Sequence, residues 1–186
     1  AALDEELRAS LKEAGEARTR PYYDKTGDAR DKKSYYAGIA LSLSPAKLFR
    51  ALSELVTRTH TTAPVYKPTK ELYPWNDLRP NRKLRSIYSG KEFDPEELIR
   101  EDFRIEQERG SRLRELALRE STLTPSQVTR ELDLLEAALP FNCEHVVPQS
   151  WFGKQEPMRG DLHHLFACES GCNSFRGNTP YFDFPD

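Results

Sequence analysis

Side chains that could hydrolyse a phosphodiester bond lie close together in the last third of the sequence. Glu144 and His145 are adjacent, and Asn173 and Arg176 follow further along the chain. A glutamate and an asparagine supply oxygen ligands of the kind that Mg²⁺ prefers, and a histidine is largely unprotonated near neutral pH. Phosphodiester hydrolysis needs a cation to neutralise charge on the phosphate oxygens and a base to activate water. This combination therefore predicts a metal-dependent phosphodiesterase site.

Histidines are concentrated around the same residues. Between them lies a second motif that contains Asp161, His163 and His164, whereas the remaining histidine, His60, is distant in sequence. A histidine cluster beside a carboxylate and an amide is a common way to combine a hard divalent cation with a general base. A lone Glu-His pair is mostly structural, so the prediction depends on the whole set in this order.

Composition sets the frame for this cluster. The chain has 186 residues, of which 37% are hydrophobic and 31% charged, so we expect one globular domain over residues 1–186. No apolar run has the length of a membrane span, and no membrane partner is expected. The net charge is −2, which excludes an overall basic field, so any nucleic-acid contact must come from a local patch. Arg79, Arg82, Lys83 and Arg85 could form such a patch or simply a solvated basic face.

Helical patterns predominate before residue 140. Leu3, Leu7 and Leu11 recur at helical spacing and predict an amphipathic first helix. Start signals mark three further helices, because a proline or an acidic first turn follows a residue that favours the helix amino terminus. These helices are expected to begin near residues 45, 94 and 125.

Three segments are expected not to form long helices. Residues 22–34 are polar and predict a turn, and the prolines between residues 61 and 81 exclude a long helix. Residues 84–90 alternate and end in Gly90, which favours a short strand.

The site segment predicts two strands and a short helix. Residues 144–147 include two adjacent valines before a proline, and residues 162–166 are short and apolar at alternate positions, which favours a β-hairpin with a long tip. Alternation along the second strand would turn one of His163 and His164 inward. Residues 169–176 then predict one or two helical turns before Gly177. A metal would lie between the hairpin and this helix.

These motifs resemble the signature of the bacterial endonuclease I family, a group of His-Me finger (ββα-metal) nucleases. The resemblance is strongest at residues 142–150, 161–165 and 173–178, and it extends over roughly residues 35–180. It implies an α+β, mainly α-helical single domain around a small ββα-metal core at about residues 141–180. It also implies a Mg²⁺-dependent endonuclease with little sequence preference, which acts on DNA, with RNA as a further candidate substrate. Mn²⁺ or Ca²⁺ are alternative cations, and such an enzyme is expected to continue beyond Asp186.

Within this resemblance each site residue receives an expected role. His145 is the general base, with its tautomer fixed by a hydrogen bond to a carbonyl, and Glu144 and Asn173 hold the cation. Arg176 lies one helical turn after Asn173 and would clamp a phosphate. Supporting or phosphate-binding roles are expected for four further residues, namely Asp161, His163, His164 and Asn178.

Three cysteines in the same segment leave two alternatives open. A hairpin would bring Cys143 near Cys168 or Cys172, and a disulfide there would agree with the secreted or periplasmic location that the family implies. The first residues of the chain are acidic, unlike a signal peptide. Alternatively, the thiolates could bind zinc in a non-catalytic module that binds nucleic acid or protein, although their spacing differs from the usual Cys-x-x-Cys pairs.

Overall fold

The computed structural model describes residues 2–182, apart from the side chains of Glu120 and Glu136. Within them the α-helices are α1 (Ala2–Thr19), α2 (Lys25–Tyr35), α3 (Pro45–Thr59), α4 (Pro95–Arg119), α5 (Pro125–Ala138) and α6 (Ser170–Arg176). The strands form two small antiparallel sheets, which are β1 (Leu84–Arg85) with β2 (Glu92–Phe93) and β3 (Cys143–His145) with β4 (Leu165–Ala167). The predicted α+β, mainly helical class is therefore confirmed.

Two compact units divide the chain. The larger unit comprises Ala1–Arg20 and Pro64–Asp186, and the smaller comprises Pro21–Ala63. All the residues predicted to carry out or support catalysis belong to the larger unit. One nuclease domain over residues 1–186 stays a prediction.

The core of the larger unit forms where α1 packs on α4 and on the segment before β1. Leu3, Leu7 and Leu11 lie on the core side of α1, as their spacing predicted. The first half of α4 contributes the fully buried Ile99 and the nearly buried Phe103. Its second half is mostly exposed, and α5 follows after a capping box at Thr124, which confirms the predicted helix start.

A buried carboxylate on α4 supports the start of both β3 and α6. Asp102 Oδ1 accepts hydrogen bonds from the backbone N–H and the side-chain Nδ2 of Asn142, both at 2.9 Å, and Oδ2 accepts one from Tyr73 at 2.6 Å. Asn142 Oδ1 in turn accepts from the Ser170 N–H at 3.2 Å. Burial raises the pKa of Asp102 to about 6 despite these donors. The network therefore links α4 to the two elements that carry the site.

The smaller unit corrects one prediction. Residues 22–34 were expected to form a turn, but most of them belong to α2. The Asp24 side chain accepts hydrogen bonds from the N–H groups of Thr26 and Gly27 and so caps the helix, which lacks an apolar face. The α3 helix begins at Pro45, as predicted, and ends at Thr59.

The proline-rich segment contains a π-helix, Pro68–Asn76. The Asp77 N–H bonds to the Leu72 carbonyl at 2.9 Å, five residues back, and Pro74 lies inside the helix without an N–H to donate. The predicted strand at residues 84–90 is shorter than expected, because β1 ends at Arg85 and a turn closes at Gly90 with a φ of 71°. A positive φ of this size favours glycine, because glycine has no Cβ to clash with the backbone.

The predicted β-hairpin with a long tip is present. Cys143 pairs with Ala167, Glu144 with Phe166 and His145 with Leu165. The second strand is shorter than predicted, because residues 162–164 form a 3₁₀ turn before β4. Asp161 caps this turn by accepting from the His163 N–H at 3.0 Å, so the two histidines do not alternate along a strand as expected.

Among residues 2–182, no helix has both the length and the apolar character needed to cross a membrane.

Candidate active site

A cleft of about 550 Å³ opens beside β3 and α6. Five of the predicted site residues line it, namely Glu144, His145, Asn173, Arg176 and Asn178. Adjacent residues on a strand point to opposite faces, so Glu144 and His145 share the cleft only because His145 is the last residue of β3. The hairpin and the short helix thus bring together residues that are separated in sequence.

His145 is held in one tautomer by the chain. The residue is 5% exposed, and Nε2 lies 2.9 Å from the carbonyl oxygen of Arg159. A carbonyl only accepts, so Nε2 carries the proton and Nδ1 is the basic nitrogen. The rings of Tyr66 and His164 lie 5.0 and 5.4 Å from the imidazole and restrict its rotation. A hydrogen bond from His145 to a carbonyl was expected, and Arg159 accepts it.

Glu144 is a fully buried carboxylate with two different oxygen atoms. Oε1 accepts hydrogen bonds from Arg176 Nη1 at 2.7 Å and from the Tyr181 hydroxyl at 3.3 Å. Oε2 is buried, and no described residue donates a hydrogen bond to it. The Tyr88 hydroxyl lies nearby, but it too forms no hydrogen bond of ordinary geometry within the described residues. A buried oxygen without a donor is an atom that a cation would stabilise.

Electrostatics at Glu144 point the same way. Burial raises the pKa of this carboxyl above its ordinary value, and the nearby Tyr88, Arg176 and Tyr181 side chains oppose the increase. The charged form is therefore only partly compensated by protein groups. A bound cation would favour the ionised carboxylate.

Asn173 on α6 is oriented by β3. Its Nδ2 donates to the Cys143 carbonyl at 3.0 Å and to the Phe141 carbonyl at 3.3 Å. Because carbonyls only accept, these bonds determine which end of the amide is nitrogen. Oδ1 is therefore the ligand that Asn173 would offer to a metal.

Arg176 ties α6 to β3. Besides its bond to Glu144, it donates from Nη1 to the His145 carbonyl at 3.1 Å, from Nη2 to the Val146 carbonyl at 3.0 Å and from Nε to the Thr179 carbonyl at 2.8 Å. The side chain is only 10% exposed. Four of its five N–H groups are thus used within the protein, which favours a positioning role over the expected phosphate clamp.

The second motif lies around the cleft and does not line it. The His163 Nδ1 lies 2.6 Å from Asp161 Oδ1, and the His163 side chain is 86% exposed. His164 donates from Nε2 to the Met158 carbonyl at 2.6 Å, and its ring meets that of His145 edge to face. This motif therefore supports the loop that carries the Arg159 carbonyl.

The known families provide the decisive comparison. The family model described as Endonuclease I matches residues 49–184, well over half of the chain. The chain belongs to the endonuclease I family. This confirms the resemblance of the three motifs, and membership implies a nuclease that hydrolyses phosphodiester bonds. No curated protein and no solved structure matches the chain.

Several functional candidates of this endonuclease I chain escaped the sequence motifs. Arg109, Lys154 and Arg159 also line the cleft, so with Arg176 it has four basic side chains against the acidic Asp133 and Glu144. The Arg159 guanidinium lies 5.0 Å from the centre of the Tyr66 ring, and its buried Nε has no hydrogen-bond partner among the described residues. Arg159 lies two residues before Asp161, so its proximity to the second motif could have indicated that it lines the cleft. Nothing near Arg109 in sequence indicated this.

The predicted basic patch separates into different environments. Arg82 donates to the Arg20 carbonyl at 2.8 Å and to the Ala17 carbonyl at 3.4 Å, at the carboxyl end of α1. Arg79 and Arg85 instead line a second pocket, and Lys83 is exposed. Arg82 therefore has a structural role in this family member.

The cysteines do not form the expected disulfide, since all three are free thiols. Cys143 pairs opposite Ala167, so the side chain of the next residue, Cys168, points to the other face of the hairpin. Burial raises the pKa of both thiols, which disfavours the thiolates that zinc requires. Among the residues that the structure describes, no cysteine belongs to a cluster with the spacing of metal ligands.

Proposed function

We propose that this endonuclease I family member cleaves nucleic acid with a divalent cation held by Glu144 and Asn173 and with His145 as general base. DNA is the expected substrate, RNA is a second candidate, and Mg²⁺ is the expected cation, with Mn²⁺ or Ca²⁺ as substitutes. One observation carries the proposal. His145 donates from Nε2 to the Arg159 carbonyl beside a buried Glu144 oxygen that has no donor among the described residues.

The base step follows from the tautomer of His145. With the proton on Nε2, the imidazole presents Nδ1 as an acceptor for a proton from water. As Nδ1 becomes protonated, the ring gains a positive charge, and the Arg159 carbonyl stabilises it through the existing hydrogen bond. Tyr66 and His164 pack against the ring and hold it in this orientation during the step.

The donor atoms fit a hard cation. Glu144 Oε2 and Asn173 Oδ1 are oxygen ligands, and neither atom accepts a hydrogen bond in the contacts described above. When bound, the cation would neutralise charge on the phosphate and on the leaving oxygen. Arg176 holds Glu144 Oε1, which orients the carboxylate toward that ligand position.

Order along the chain supports a ββα-metal core. β3 carries Glu144 and His145, β4 pairs with β3, and α6 carries Asn173, so strand, strand and helix follow one another as the family resemblance implies. The proposed core covers approximately residues 141–180. Two hydrogen bonds from Asn173 and three from Arg176 fasten its helix to β3 and to the residues that flank it.

Basic side chains in the cleft would contact phosphates. Arg159 and Lys154 lie on the loop that follows β3, and Arg109 enters from α4. Guanidinium and ammonium groups bind phosphates without reading bases, so we propose little sequence preference. A secreted or periplasmic location remains part of the proposal. It depends on the family resemblance alone, since the expected disulfide does not form.

A plasmid assay tests the proposed reaction. Metal-free protein should leave supercoiled plasmid intact in EDTA and should nick and then degrade it with Mg²⁺ or Mn²⁺. Plasmid that stays intact with both cations would contradict the proposal. Intact plasmid together with stoichiometric bound zinc would favour the zinc-stabilised module instead.

The proposed ligands are tested by calorimetric titration with Mn²⁺. Glu144→Gln and Asn173→Ala should each weaken binding by at least about tenfold, because each removes or weakens an oxygen ligand. Ser150→Ala is the matched control, since Ser150 lines the same cleft but is not a proposed ligand. Unchanged Mn²⁺ affinity in both ligand variants would show that the cation binds elsewhere.

A further inference from the structure

A second pocket of about 500 Å³ lies next to the metal-ligand carboxylate. Phe166, which lines this pocket, pairs with Glu144 across the hairpin. Tyr88 also lines it, and the Tyr88 hydroxyl lies beside Glu144. The second pocket is therefore adjacent to the proposed metal site.

Two arginines give this pocket its charge. Arg79 and Arg85 are exposed and line it, and neither side chain forms a hydrogen bond or an ion pair with any residue that the structure describes. Among the residues that the structure describes, one carboxylate lines the pocket, that of Asp77. It accepts a hydrogen bond from the Ala167 N–H at 2.6 Å, and burial raises its pKa, although the nearby Arg79 charge partly opposes this by favouring the ionised form. The local charge is thus positive, although the whole chain has a net charge of −2.

Arg85 directly precedes a turn that is fastened to α6. The hydroxyls of Ser86 and Ser89 both donate to the carboxylate of Glu169, the residue before α6. Arg85 lies against Gly90, where an added Cβ would come within 3.2 Å of Arg85 Nη2. The turn is therefore fastened to the helix that carries Asn173, and the Arg85 donors have a defined position relative to the metal site.

We propose that the second pocket binds a phosphodiester group of the substrate strand, next to the one that is cleaved. The proposal rests on the proposed function, because it assigns the continuation of the same nucleic-acid strand. Arg79 and Arg85 supply the donors, and a guanidinium binds a phosphate through two parallel hydrogen bonds. Neighbouring phosphates of one strand would then be held on either side of Glu144 and Tyr88. The pocket is a binding subsite and takes no part in proton transfer.

Binding without cleavage gives the first test. Anisotropy of a labelled DNA oligonucleotide in EDTA should show that Arg79→Ala and Arg85→Ala each raise Kd by about tenfold, the effect of one lost charge-assisted contact. Each variant should also reduce the slope of log Kd against log salt by about one. Arg85→Lys should restore part of the affinity. Arg8→Ala is the matched control, because Arg8 is exposed on the amino-terminal half of α1.

Steady-state cleavage with Mg²⁺ gives the second test. KM should rise by about tenfold in each variant, while kcat and the melting temperature stay at the wild-type values. Wild-type Kd, KM and salt slope in Arg79→Ala and Arg85→Ala would overturn the subsite, as would a fall in kcat without a change in KM. If the wild-type chain binds the oligonucleotide but cleaves nothing, the proposed function fails, whereas the binding measurements still decide on the subsite.

Discussion

The cleft and the second pocket hold their polar groups in different ways. In the cleft, the described residues accept four hydrogen bonds from the Arg176 side chain and two from the Asn173 side chain, and His145 Nε2 donates to the Arg159 carbonyl. In the second pocket, the side chains of Arg79 and Arg85 donate none to the residues that the structure describes. Groups fixed by the protein are suited to chemistry that needs defined geometry, whereas uncommitted donors are suited to a ligand from solution. The difference predicts that cleft variants change kcat or metal affinity and that second-pocket variants change KM.

The largest effect is expected at His145. His145→Ala should lower kcat by about 10²–10⁴, because it removes the general base, while Mn²⁺ affinity stays unchanged. Single-turnover cleavage of plasmid at saturating Mg²⁺ measures the rate. Arg8→Ala is the control, since Arg8 is exposed on α1 and does not line the cleft. A His145→Ala enzyme with wild-type activity would mean that another group activates the water.

Arg176 tests whether the cleft groups are fixed by the chain. Arg176→Ala should destabilise the protein by about 3 kcal/mol, because it leaves the buried Glu144 carboxylate without its cationic partner. Urea unfolding measures the change, and Glu144→Gln in the same background should recover part of it. A stable Arg176→Ala protein with a raised KM alone would restore the phosphate-clamp role that we expected from the sequence.

The pH dependence of the unfolding free energy tests the buried Asp102 network that supports β3 and α6. The pKa of Asp102 is about 6 in the folded protein and above the ordinary value for an aspartate, so the folded state binds the proton more tightly than the unfolded state does. This contribution to stability is present below about pH 4 and is lost as the pH rises through 6. Relative to wild type, Asp102→Asn should therefore gain about 2 kcal/mol between pH 4 and 7. Parallel curves of unfolding free energy against pH would show that Asp102 does not titrate in this range.

Arg82→Ala is expected to have the smallest effect, and this variant distinguishes the role of Arg82 from that of Arg79 and Arg85. Arg82→Ala should lower the unfolding free energy by about 1 kcal/mol, because it removes two hydrogen bonds to carbonyls at the end of α1. The salt dependence of DNA binding should stay at the wild-type slope, unlike that of Arg79→Ala. A reduced slope of log Kd against log salt in Arg82→Ala would show that Arg82 contacts the substrate, as Arg79 and Arg85 are proposed to do.

Regular, strongly patterned segments were predictable from the sequence. The leucine spacing of α1, the Ser44–Pro45 start of α3 and the capping signal before α5 each combine local propensity with a defined boundary. The α2 helix was missed because it has no apolar face, and its clearest signal is the single cap at Asp24. Periodicity does not reveal a helix that buries little.

Site residues were predictable by type more than by role. The pairing of Glu144 with His145 and the position of Asn173 indicated a shared site, and both strands of the hairpin were found. The contacts of Arg176 were not predictable, since they depend on how α6 packs on β3. Arg159 acts on His145 through its backbone carbonyl, and sequence patterns carry no information on such a contact.

The proposed reaction depends on a cation that Glu144 and Asn173 hold beside His145. A crystal soaked with Mn²⁺ tests it directly, because the anomalous signal locates the ion independently of activity. We expect one peak in the cleft at about 2.1–2.2 Å from Glu144 Oε2 and Asn173 Oδ1, with water or phosphate completing the octahedral shell. A peak bound by the cysteines, or a cleft without any peak at saturating Mn²⁺, would contradict it.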